Sequence, residues 1–139
     1  MYFQGFLIML GGSEGEIFPN EFIVYDTYEA TPNMRLDLDS KRDTTGHLHR
    51  NVLSHTATEI KFTVLSLDNL KHDYLLDLIH RNMSNEHTKT ITLYYWDDEY
   101  HTYKTGTFYV PDLKFKIRSI DEKKNRIDYN ELEVSFIEY

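Results

Sequence analysis

The chain has 139 residues, no cysteine and a formal net charge of −8. Without thiols there is no disulfide framework, thiolate metal site or cysteine nucleophile, and the acidic balance argues against a general nucleic-acid binder, which needs clustered Lys and Arg. The length suits one domain covering residues 1–139, and 11 Tyr and 8 Phe with only 3 Pro favour folded strands.

Tyr2-Phe3-Gln4-Gly5 match the end of a common tag-removal protease site, which makes residues 1–5 a candidate vector-derived lead. Residues 6–10 form a short apolar run stopped by Gly11-Gly12, as expected of a strand buried on both faces. It has no basic lead and is far short of the roughly 18 apolar residues of a membrane span, so neither a signal peptide nor a membrane partner is expected. Residues 21–29 are rich in aromatic and β-branched residues and predict a strand ended by Pro32. Residues 33–55 then break the pattern. They are charged, carry a lone Gly46 at a turn signal, and exceed the roughly 12–15 residues beyond which loops are functional or disordered. A long hairpin and an extended loop both fit them.

Residues 56–65 give the clearest strand, with Ile60, Phe62 and Val64 on one face and Glu59, Lys61 and Thr63 on the other. A helix is predicted over 68–82, where Leu67, Leu70, Tyr74, Leu75, Leu78 and Ile79 recur at three- and four-residue spacing. Ser66 or Asp68 can cap its start, and His80 and Arg81 suit its C-terminal end. The remainder reads as strands again: residues 90–96, an acidic turn at Asp97-Asp98-Glu99, residues 107–110, Leu113/Phe115/Ile117 alternating with Lys114/Lys116/Arg118, a turn at 121–125, and a return with Leu132, Val134 and Phe136 inward. The expected fold class is mainly β (α+β by content): an antiparallel β-sandwich or barrel with one flanking helix and a long charged loop.

Chemical readings are weak. His47 and His49, with His55 nearby, lack the third and fourth ligands of a zinc site. Asp37, Asp39 and Asp43 lack the glycine and closing Glu of a calcium loop. Asp97 and Asp98 lie in a turn where solvated carboxylates are the default. No phosphate loop or nucleophile elbow is present, and Ser54-His55 adjacency lacks an orienting third residue. No catalytic, metal or cofactor site is expected. The aromatic group Tyr94, Tyr95, Trp96, Tyr100, Tyr103, Phe108 and Tyr109 reads first as cross-strand packing, with base, sugar or partner stacking as the alternative.

The spacing Asp39-x-x-Arg42-x-x-x-Gly46-x-Leu48-x-Arg50, the helix after it, and Gly106-Thr107-Phe108-Tyr109-Val110 in a late strand resemble small tail-associated proteins encoded in phages and prophages of Gram-positive bacteria. The resemblance spans about residues 32–139, and the element order is similar to that of phage tail-tube and tail-tip proteins. It implies a structural component of a phage tail, in the tube or in a tail-tip or baseplate ring, located in the virion and in the bacterial cytoplasm during assembly. The implied partners are further copies of the chain in a six-fold ring, other phage tail proteins, and DNA passing through a channel without specific binding. It also implies that Arg35, Asp37, Asp39, Arg42, Asp43, His49 and Arg50 are subunit-interface residues, with Gly46 conformational. The second reading is a monomeric β-barrel module that binds a peptide or carbohydrate through its aromatic face; an unrecognised hydrolase is a third.

Overall fold

Period-two alternation dominates the chain, and the computed structural model, which describes residues 3–37, 41–49 and 52–139, shows strands over most of it. In chain order they are β1 (Ile8–Leu10), β2 (Glu16–Ile17), β3 (Glu29–Asp37), β4 (Lys41–Arg42), β5 (Leu48–His49) and β6 (Val52–Val64). The helix α1 (Asn69–Arg81) follows, then β7 (Met83–Asn85), β8 (Thr90–Asp97), β9 (Thr102–Tyr109), β10 (Ile117–Asp121), β11 (Arg126–Tyr129) and β12 (Leu132–Glu138). The fold is mainly β, an antiparallel sheet with one helix, as expected. Its main sheet runs β2-β1-β8-β9-β12-β6-β3, and β7 shares with β1 the edge of β8 opposite β9. Two small two-stranded sheets, β4-β5 and β10-β11, stand apart from it.

The inward rows are those that alternation selects: Ile60, Phe62 and Val64 of β6, Ile91, Leu93 and Tyr95 of β8, and Leu132, Val134 and Phe136 of β12. They enclose one core with Ile8, Leu10, Phe18 and the helix residues Leu75, Leu78 and Ile79. Each such side chain contributes about 1.5–3 kcal/mol by leaving water. A second cluster of Phe6, Trp96 and Tyr103 covers the other face of β8 and β9. Tyr103 OH donates to Phe6 O (2.8 Å) and accepts from Gln4 N (3.0 Å), while Phe3 packs edge-on against Trp96 at 5.5 Å. The burial of Tyr95 and Trp96 together follows from these two covered faces.

The helix starts where Asp68 accepts a hydrogen bond from Lys71 N (3.0 Å) and ends at Asn82. Arg81 clamps its last turn to β2, donating from Nε to Glu16 Oε2 (2.7 Å), from a terminal nitrogen to Glu16 Oε1 (2.8 Å), and to Asp77 (2.7 Å). The Arg81 and Asn82 hydrogen bonds lower the Glu16 carboxyl to about 2.

Several expected boundaries are corrected. Residues 21–29 are not one strand: two 3-10 turns, Asn20–Phe22 and Tyr25–Thr27, flank a single bridge from Ile23 to Val64. Thr27 Oγ1 accepts from Thr63 N and donates to Val24 O, which favours a turn at this point over ladder pairing. Pro32 does not end the strand. It sits inside β3 at a register shift between Thr31 and Met34, where an edge strand tolerates a residue without an N–H. Residues 107–109 are the end of β9, a longer strand than predicted, and Val110 lies just past it. Residues 111–116 form no strand, and Phe115 and Ile117 are 46% and 55% exposed. In α1 the buried face is His72, Leu75, Leu78 and Ile79. Leu70 is 76% exposed, since it lies roughly 140° around the helix from Leu75.

Candidate functional site

Strand lengths create the most distinctive feature. β6 has 13 residues and β12 has 7, and the two pair only from Glu59↔Ile137 to Val64↔Leu132. Past Glu59, β6 continues towards its N-terminal end with β3 as its ladder partner, through Met34↔Ala57, Arg35↔Thr56 and Asp37↔Val52. This two-stranded arm reaches beyond the end of β12. The small β4-β5 hairpin lies between its strands in the chain.

The arm is rooted in a buried polar junction. Asn33 takes a left-handed backbone (φ +54°) beside Pro32, a conformation that Asn tolerates better than most residues. Its backbone N–H donates to Thr58 Oγ1 (3.2 Å), its amide donates to Asp97 Oδ2 (2.9 Å) and Glu99 Oε1 (3.2 Å), and its amide oxygen accepts from Lys104 Nζ (3.1 Å). Asp97 has no exposed surface. Its Oδ2 also pairs with Lys104 Nζ at 2.9 Å, and its Oδ1 accepts from the N–H groups of Glu99 (2.8 Å) and Tyr100 (3.3 Å). Burial pushes its carboxyl up, but the donors from Asn33, Lys104, Glu99 and Tyr100 together outweigh this and hold it below its ordinary value. Thr58, itself buried, shares a hydrogen bond with Tyr95 OH (3.2 Å) and donates from its N–H to Glu138 Oε1 (2.8 Å). Gly106 lets Glu138 lie across β9, because a methyl group there would run into Glu138 Oε2. The root thus ties β3, β6, β8, β9 and β12 together where β12 stops.

At the tip, Asp43 organises the turn. Its Oδ1 accepts from Thr45 N (2.9 Å), Thr45 Oγ1 (2.6 Å) and His47 N (3.0 Å), and Asp43 N donates to His47 O (2.8 Å). Arg42 donates to Gly46 O (3.0 Å), and Gly46 adopts φ +89° with open space around it. The sequence-predicted interface residues are therefore spread along the arm: Arg35 exposed on β3, and Arg42, Asp43 and Gly46 together at the tip. Asp37 and His49 belong to β3 and β5 by backbone, while Asp39 and Arg50 lie outside the described residues.

Among the described residues no group of three His, Asp or Glu is placed to hold a metal, and no helix is long and apolar enough to cross a membrane. The expectation that Asp97 is solvated is corrected: an ion pair and two backbone donors bury it. Tyr94, Trp96 and Tyr103 pack on one another and on Phe6, and Tyr95 packs edge-on to Phe108. Tyr100 is 62% exposed, with Lys104 Nζ 4.4 Å over its ring.

The hairpin turn expected at 121–125 joins β10 and β11, but sequence reasoning missed the root and the separation of that hairpin from the main sheet. Asn33 after Pro32 was the available signal for a left-handed residue, but nothing in the sequence joins it to Asp97 and Lys104, 64 and 71 residues away. The alternation of Leu113, Phe115 and Ile117 reaches only the start of β10, where Ile117 and Ile120 are exposed while β11 leans on α1, with Tyr129 stacked on His72 at 3.9 Å. No curated protein and no solved structure matches the chain. One family profile does, over residues 1–139, and on that match the chain belongs to DUF6711, a family of unknown function.

Proposed function

We propose that this chain is a non-enzymatic structural subunit of a phage tail or phage-like particle, assembling into rings through its sheet edges and its charged arm. The observation that carries this reading is the arm: a two-stranded extension past the end of β12, fixed at its base by a fully buried Asp97 and presenting Arg35, Arg42 and Asp43 to solvent. A protruding element held this firmly at its root contributes little to its own core. A partner that covers it gives it a use, and a closed ring of copies also removes the exposed edge of β3. The acidic subunit would line a channel that repels DNA phosphates, so DNA passes without being held.

Deleting residues 41–47 tests this. The expected result is rings or tubes of the full chain in negative stain and light scattering, and a deletion variant with unchanged circular dichroism and cooperative melting that forms none. A deletion that unfolds the domain would make the arm part of the scaffold, and the proposal would fail.

A further inference from the structure

Residues 114–126 hold six Lys or Arg against two Asp or Glu, in a chain whose net charge is −8. They include the turn of the β10-β11 sheet, where Lys123 and Lys124 are exposed. The register sets Ile117 opposite Tyr129 and Ile120 opposite Ile127, so these four side chains share one face. α1 covers the β11 half of that face: Tyr129 stacks on His72, and Asn69 Oδ1 accepts from Ile127 N. The β10 half is left uncovered, with Ile117 55% and Ile120 62% exposed. This is an apolar strip with a basic rim on a two-stranded unit outside the main sheet.

The complementary surface is on the same chain. The outer face of β3, β6 and β12 carries Glu29, Glu59 and Glu133, with Glu29 and Ser135 both paired in register to Lys61. A groove of about 430 Å³ opens there, where the carboxylates of Asp26, Glu29 and Glu133 outnumber the single ammonium of Lys61. Tyr25, 65% exposed, stands next to Asp26 and offers an aromatic surface to an apolar strip. Phe62, Val134 and Ile60 point to the core on the other side of these strands, and on the outer face Glu133 and Ser135 also border a second groove with Lys114 and Lys116 of the same chain.

From this we infer that the β10-β11 hairpin of one copy docks, Lys123 and Lys124 first, into the Asp26/Glu29/Glu133 groove of a second copy. The inference rests on the assembly reading and names its contact. Because the two surfaces differ, the contact is heterologous and propagates from copy to copy, closing into a ring if the rotation allows. Nucleic acid is the other partner a basic hairpin suggests; the apolar strip and the matching acidic groove favour a second copy.

The test reverses charge on each side of the full chain. Lys123→Glu with Lys124→Glu, and separately Asp26→Lys with Glu29→Lys, should each weaken self-association at least tenfold in sedimentation velocity, with folding unchanged. Mixing the two variants should restore association. Cysteine trapping gives an independent readout in this cysteine-free chain: a mixture of Lys124→Cys and Glu29→Cys chains should yield a disulfide-linked dimer under mild oxidation. If the reversals leave association intact while the 41–47 deletion abolishes it, the hairpin contact is wrong and the assembly reading stands. A full chain that neither associates nor traps overturns both. Retardation of a DNA duplex by the full chain, lost in the Lys123/Lys124 variant, overturns the inference in favour of nucleic acid.

Discussion

Asp97 and Lys104 set the energetic terms at the root of the arm. A carboxylate with no exposed surface is tolerable only while its lone pairs are filled, and here two N–H groups, one amide and one ammonium fill them. Lys104 is about a third exposed, with side-chain exposure of 35%, so solvent weakens the attraction and the full cost of breaking a buried pair, about 3–5 kcal/mol, does not apply. Lys104→Met should therefore destabilise the domain by roughly 2 kcal/mol, chiefly by leaving the Asp97 charge without its counter-ion. Thermal melting should show this as a fall of about 5–10 °C. Asp97→Asn keeps a turn acceptor and removes the stranded charge, so the double variant should recover part of the loss. The Asp97 carboxyl is held below its unfolded value, so its contribution is complete above that value, 3.8, and disappears as pH falls through the lower folded one. An unchanged melting temperature in Lys104→Met would show that the junction is ornamental.

Among the elements, α1 was the most legible, because a cap, a period and a basic last turn all agree at Asp68, Leu75/Leu78/Ile79 and His80-Arg81. What the period could not choose was which apolar residues face in, and His72 took a place that Leu70 was expected to hold. The reason is tertiary: His72 is the residue that meets Tyr129 (3.9 Å, 13° between planes) and Phe115 (5.3 Å) under the β10-β11 sheet. Burial lowers its pKa, with the nearby Asp73 charge opposing this. A histidine kept neutral by folding stabilises fully above its unfolded value of 6.5, and the contribution falls as pH drops below it, because the unfolded chain takes up the proton first. Acidification from pH 7 to 5.5 should thus loosen β10-β11 from α1 while the main sheet holds. Amide exchange at Ile127 and Tyr129, whose N–H groups bond Asn69 Oδ1 and Leu67 O, reads this directly. His72→Phe should keep the stack and remove the pH dependence; a slope that persists in this variant would place the titrating group elsewhere.

At the scale of the whole molecule, the sheet was readable wherever one face is buried, since a one-residue slip would turn Ile60, Phe62 and Val64 out to water. The arm was readable only in part: alternation marks 56–65 as a strand, but the charged composition of residues 33–55 suits a hairpin and a loop equally, and β12 does not extend beside that part of β6. The charge distribution extends the assembly argument. Six of the 15 Lys and Arg lie in residues 114–126. If those residues are taken up at contacts between copies, the remaining exposed surface is strongly acidic, and the wall of a channel formed by that surface would repel phosphate at short range. Two outcomes follow. Association should weaken steeply with salt, because the screening length drops from about 10 Å at 0.1 M to about 3 Å at 1 M. A density map of the assembled ring should show more Asp and Glu than Lys and Arg facing the channel, with residues 114–126 away from it. A basic inner wall would mean that the chain grips nucleic acid and does not merely let it pass, and the tail-subunit proposal would have to be abandoned.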